Sequence, residues 1–299
     1  MSFAEPTAAR RGTAVALQAP VASARRPNEG ALQLILRRGA QRTVLQECYF
    51  QVPLQVMRPL YLDDVGTAYV YLVSPCGGVV GGDTYDISVV VEAGARVCLT
   101  TPSATKIYAT TGAPATQRLD LTVQAGAVLE YLPEQTIPYA QSAFRQSIHV
   151  RLGAGACVLL SEIVAPGRLA RGEAFAYHEY DARLCITDGR DQVLVRDRLW
   201  LRPGRQPLGG LGCFEGYHYL GTLYVLQEGV PVPPALIEQV QTHLGEYPGL
   251  LAGATQLAHG GLAVRVLGQA HTPVRQALHE IWDLLRRELL GYPAVRWRT

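Results

Sequence analysis

The sequence predicts a mainly β protein, a β-helix-like body of stacked strands with about two C-terminal α-helices. Three observations carry this expectation. Short apolar runs separated by Gly and Pro dominate residues 30–230, with little helical periodicity. Small-residue corners, Ala93-Gly94-Ala95, Ala125-Gly126-Ala127 and Gly153 to Ala156, recur at intervals of roughly 30 residues, each just before an apolar run. Beyond Pro233 the apolar period becomes that of a helix.

Residues 1–29 read as a disordered Ala/Arg/Pro tail, leaving 30–299 as one domain. Arg10-Arg11, a modest apolar stretch and Ala22-Ser23-Ala24 have the outline of a twin-arginine export signal, but Gln18 and Pro20 interrupt the stretch. Strands are expected at Leu32 to Leu36, Ala68 to Val73, Ile87 to Val91, Val97 to Thr101, Leu119 to Val123, Val128 to Leu132, Ile148 to Leu152 and Val158 to Ile163. Each run ends in a polar or proline-bearing turn, and another strand leads back to the next Ala/Gly corner. Such units can stack as coils, each burying its apolar face on its neighbour. Periodicity alone leaves a two-sheet sandwich equally open. After Pro233-Pro234, Leu236, Ile237, Val240 and Leu244 share one helical face. A hairpin around His259-Gly260-Gly261 follows. The last helix is read with Thr272 as N-cap, Pro273 at its first position, and a core-facing stripe of Val274, Leu278, Ile281, Leu285 and Leu289 up to Gly291.

Composition narrows the function. In 299 residues, 48% of them hydrophobic, there is ample material for a core that needs no cofactor. A formal charge of +2 argues against a dedicated nucleic-acid binder or a polybasic membrane surface. No run reaches the ~18 apolar residues a spanning helix needs. Cys48, Cys76, Cys98, Cys157, Cys185 and Cys213 lie far apart with no C-x-x-C, which points to free thiols in a reducing, cytoplasmic setting.

Three clusters stand out. Gly77-Gly78-Val79-Val80-Gly81-Gly82-Asp83 lacks the Gly-Lys-Ser/Thr of a phosphate loop, so its glycines are expected to allow positive φ and close backbone approach, with Asp83 capping the turn or facing a partner. Lys106 is the only lysine among 27 basic Lys and Arg residues, and is expected to satisfy buried carbonyls or a carboxylate. Glu162, Gly167-Arg168 and Arg171-Gly172-Glu173 place two acids and two arginines around turns, a set able to fix a loop by bidentate ion pairs. Its oxygen-only character suits transient contact with a cation better than tight nickel or zinc binding. The seven histidines are isolated in sequence, and no G-x-S-x-G, H-E-x-x-H or EF-hand pattern occurs, so no enzyme activity is expected.

Taken in order, these landmarks resemble the UreD (UreH) family of urease accessory proteins. The resemblance rests on Gly77 to Asp83, Thr100-Thr101 with Thr105-Lys106-Ile107-Tyr108, Tyr131-Leu132-Pro133-Glu134 with Ile137-Pro138-Tyr139, the Glu162 to Glu173 set, Trp282, Arg286, and Arg296-Trp297-Arg298. It implies a β-helix-like scaffold that joins UreF and the GTPase UreG in a hetero-oligomer docking on apo-urease to support nickel insertion. It further implies a transient Ni(II) path, with no tightly bound cofactor, to which Glu134, Glu162 and Glu173 are assigned. Gly77, Gly78, Gly81, Gly82, Asp83, Lys106, Tyr108, Arg168 and Arg171 are assigned to structure or to a partner interface. Two other readings are a β-helical carbohydrate-active enzyme, with paired acids in an open groove, and a stand-alone nickel metallochaperone.

Overall fold

The structure, a computed structural model, describes residues 29–205 and 207–295. Apart from Glu29, the expected tail lies outside the described residues, as do Arg296, Trp297 and Arg298.

β1 (Glu29–Arg38) turns back into β2 (Thr43–Gln51), and β3 (Gln55–Val56) and β4 (Ala68–Val73) follow. The chain then winds in coils. β5 (Thr84–Val91) leads to β6 (Arg96–Thr100) and β7 (Thr105–Ile107). β8 (Ala115–Val123) leads to β9 (Val128–Tyr131) and β10 (Thr136–Pro138). β11 (Ala143–Leu152) leads to β12 (Cys157–Val164), a 3-10 turn at Leu169–Arg171, and β13 (Glu179–Asp188). On one face β1, β5, β8, β11 and β13 pair in parallel, and on the other β4, β6, β9 and β12 do the same. Between β5 and β8, Thr84 stands beside Thr116, a step of 32 residues. That parallel register between successive coils decides for the solenoid over the sandwich.

The recurring corners explain the repeat. Gly94, Gly126 and Gly155 all take left-handed φ, at 67°, 62° and 66°, where a side chain is strained. The alanine after each, Ala95, Ala127 and Ala156, is fully buried.

At the C-terminal end the pairing turns antiparallel: β14 (Val193–Leu201) on β13, and β15 (Tyr219–Gln227) on β12. Then come α1 (Pro234–Gly245), the hairpin of β16 (Leu250–Gln256) and β17 (Leu262–Gly268), and α2 (His271–Leu285), which continues as a π-helical turn, Arg286–Leu290, to Gly291. The sheets run β14-β13-β11-β8-β5-β1-β2 and β16-β17-β15-β12-β9-β6-β4-β3, while β7, β10 and β12 form a third side. Thr272 is not the cap of α2. The helix begins at His271, with Ala270 extended at the cap position and making no side-chain cap bond. Proline is tolerated anywhere in a first turn, whose N–H groups have no intrahelical partner, so Pro273 locates the start only to within a residue or two.

Two cores result. Leu34, Val89, Leu121, Leu129, Val158 and Leu160 fill the space between the sheets. Leu159, Ile163, Leu223, Val274, Ile281 and Trp282 belong to a second core where the helices cover the outer face of the larger sheet. β9 and β12 lie between the two, so both of their faces are covered.

Candidate functional site

The glycine-rich turn is shaped by its neighbours. Gly77 and Gly82 have φ of 76° and 84°. A Cβ on Gly78 would stand 2.7 Å from the Lys106 carbonyl oxygen and 2.8 Å from the Tyr108 ring, and one on Gly81 would stand 2.8 Å from Thr110 Cγ2. The Val79 N–H donates to the Lys106 carbonyl (2.8 Å), which knits the turn to β7. Asp83 Oδ2 accepts from the Val80 N–H (2.8 Å) and the Tyr85 hydroxyl (2.9 Å), capping the turn. The half-buried Lys106 side chain makes no ion pair or side-chain hydrogen bond within the described residues, against the carboxylate or carbonyl partner expected for it.

One coil on, Tyr108 meets Tyr139 edge-on at 5.3 Å, and the Arg168 guanidinium lies 4.0 Å from the Tyr139 ring centre. Arg168 grips Glu173 bidentately, Nε to Oε2 at 2.7 Å and Nη2 to Oε1, while the Ala140 N–H also donates to Oε2 at 3.2 Å. The bonds from Arg168, with the Ala140 N–H and the nearby Arg171 charge, hold the Glu173 carboxyl below the ordinary carboxylate range, outweighing what desolvation raises. Glu162 does not join this set. It belongs to the inward-facing row of β12, whose neighbours Leu160 and Val164 fill the inner core.

Three cavities organise the remaining acids. One of about 330 Å³ lies between the larger sheet and α2, lined by Tyr71, Thr101, Glu134, Ser161, Arg275 and His279 among others. Glu134 meets Arg275 there at 3.2 Å. A second, of about 150 Å³, lies inside the solenoid and is bordered by Gly78, Lys106, Tyr131, Gln146 and Glu162. Thr101, Pro102 and Pro133 line both, forming the wall between them. A third, of about 40 Å³, reaches from Glu162 to Tyr180, Asp197 and Tyr224. Glu162 therefore joins the two inner spaces. Desolvation pushes its carboxyl up, the hydrogen bond from Gln146 Nε2 (2.5 Å) partly offsets this, and the Asp197 charge adds to the rise. Glu162 has no ion-pair partner within the described residues. Glu173 lines none of the three cavities.

Sequence reasoning missed Glu130, a fully buried carboxylate in the middle of β9. Arg286, also fully buried, stands 3.0 Å from Glu130 Oε1 and 3.1 Å from Asp63 Oδ2, and donates to the Tyr69 hydroxyl (3.2 Å) and the Pro293 carbonyl (2.9 Å). The Trp282 indole N–H donates to Glu130 Oε1 at 2.7 Å. This network ties the C-terminal helix to the solenoid. The available signal was a lone acid in an apolar strand, which needs a buried partner. Among the described residues, no group of three or more His, Cys, Asp or Glu side chains could hold a metal ion, and no helix is long and apolar enough to cross a membrane.

The fold and site together define a β-solenoid whose larger sheet is covered by helices, with carboxylate-lined cavities and an ion-paired corner. The sequence profile of the UreD urease accessory proteins matches residues 28–299. The chain is 37% identical over 268 residues to the urease accessory protein UreD of Mycolicibacterium gilvum, covering 88% of this chain and 95% of that one. It is 37% identical to the protein of that name from Haloarcula marismortui, over 90% of both chains, and 32% identical to that from Cenarchaeum symbiosum, over 89% of this chain and 94% of its relative. The chain belongs to the UreD urease accessory protein family.

Proposed function

We propose that the protein is a non-catalytic scaffold for urease maturation, acting in the cytoplasm with UreF and UreG in a complex that docks on apo-urease. Within it the solenoid gives Ni(II) a transient path to which Glu134 and Glu162 contribute. Glu162 carries this reading: it is a desolvated carboxylate at the junction of two internal cavities, with no cationic side chain paired to it. Isolated oxygen ligands attract a divalent ion yet release it, the compromise a conduit requires. Glu134 joins this path by parting from Arg275, and Glu173 belongs to it only if Arg168 releases both its oxygens.

The docking role is supported by the apolar surface. Tyr49, Phe50, Val52, Met57, Leu60 and Leu62 are all exposed within one short segment, which is the kind of patch that an interface covers. Co-purification with UreF, followed by urease assays in a deletion strain supplied with nickel, tests the proposal. Full urease activity in the deletion strain would overturn it.

A further inference from the structure

The outer face of the seven-stranded sheet changes character at its C-terminal edge. Near the middle of the face charges balance, as where Arg118 pairs with Asp120 at 2.7 Å. On β14, Val195, Leu199 and Leu201 point to the inner core, so Arg196, Arg198 and Trp200 share the outer face. Strand register sets Trp200 beside Asp181 and Arg145, and Arg198 beside Arg183. Arg183 and Arg198 thus flank Asp181 and Arg145 flanks Glu179, with Arg196 two residues before Arg198 on the same face of β14 and Arg202 over the Trp200 ring.

Both carboxylates are already engaged. Asp181, 2% exposed, is held by Arg183 and Arg198 at 2.7 and 2.8 Å. Glu179 meets Arg145 at 3.3 Å and accepts the Trp200 indole N–H at 3.2 Å. Trp200 is fixed between two guanidinium groups, Arg198 at 4.1 Å and Arg202 at 3.6 Å from its ring, and stays 36% exposed. Arg196 is exposed and makes no ion pair within the described residues. Among the described residues β14 is also the last strand of its sheet, and no backbone hydrogen bond from another segment reaches its outer edge.

We propose that this edge binds an extended acidic segment of a partner protein. The segment's backbone adds to β14 and its carboxylates meet Arg196, on the same face as the Trp200 ring. Strand addition to an open edge supplies the backbone bonds, and guanidinium groups suit carboxylates geometrically. A rigid Trp flanked by arginines has the composition of an interface hot spot. A nucleic acid fits less well: the basic patch is confined to one end of the sheet, and the chain's formal charge is only +2.

The test is fluorescence anisotropy on the full chain with a fluorescein-labelled peptide of alternating Glu and Val, its Gln/Val counterpart, and single-stranded DNA as competitor. The Glu peptide should bind, weaken as salt rises, and lose about tenfold in affinity to Arg196→Glu, a change that removes no ion pair among the described residues. Trp200→Ala should weaken it as well. Equal binding of the Gln peptide, no response to Arg196→Glu, or tighter binding of DNA than of the peptide would each overturn the proposal.

Discussion

At the scale of the residue, close contacts and buried charges set the expectations. Gly78→Ala drives a methyl group into the Lys106 carbonyl and the Tyr108 ring, and should cost ~1–3 kcal/mol in urea unfolding. Gly94→Ala meets open space and pays only for its left-handed φ, so it should cost about 1 kcal/mol. Arg286→Met strands Glu130 and Asp63 in the second core, and should destabilise by about 3–5 kcal/mol. Asp181 fixes a pH dependence. Burial alone would raise its carboxyl, but the hydrogen bonds from Arg198 and Arg183 outweigh burial and hold it at about 2. Because this lies below its ordinary 3.8, the network's contribution is complete above about pH 4 and is lost as pH falls toward 2. Asp181→Asn should therefore lower stability at neutral pH by ~1–2 kcal/mol and flatten the pH 4 to 2 limb of an unfolding titration.

At the scale of the element, the docking of α2 depends on small residues in the strands beneath it. A Cβ on Gly221 of β15 would come within 2.7 Å of Leu278 and 2.8 Å of Val274. Gly221→Ala should lift the helix and lower stability by about 1–3 kcal/mol, read from thermal unfolding with near-UV circular dichroism on Trp282. The stripe on α2 was legible because a helix reports its buried face within a few residues. The strand runs and corners were legible for the same reason, since each coil repeats its own pattern. Glu130 and Asp63 were not, because each matters through Arg286, far along the chain. The separation of Glu162 from Arg168 and Glu173 was equally hidden: they are near in sequence, but Glu162 points inward on β12 while the others fix a loop on the third side.

At the scale of the whole molecule, the solenoid encloses cavities that no local pattern reveals, because their walls come from successive coils. Glu162 looked like one member of an acid and arginine cluster, and the fold makes it the link between two internal spaces. The exposed apolar run from Tyr49 to Leu62 should make the isolated chain prone to association, and co-expression with UreF should raise its soluble yield. The most direct test is the nickel content of urease matured in cells carrying Glu162→Ala together with Glu134→Ala, with UreF co-purification confirming that the variant still assembles. Normal assembly and markedly reduced nickel per urease active site are expected. Nickel loading equal to that obtained with the unaltered protein would contradict the proposed Ni(II) path.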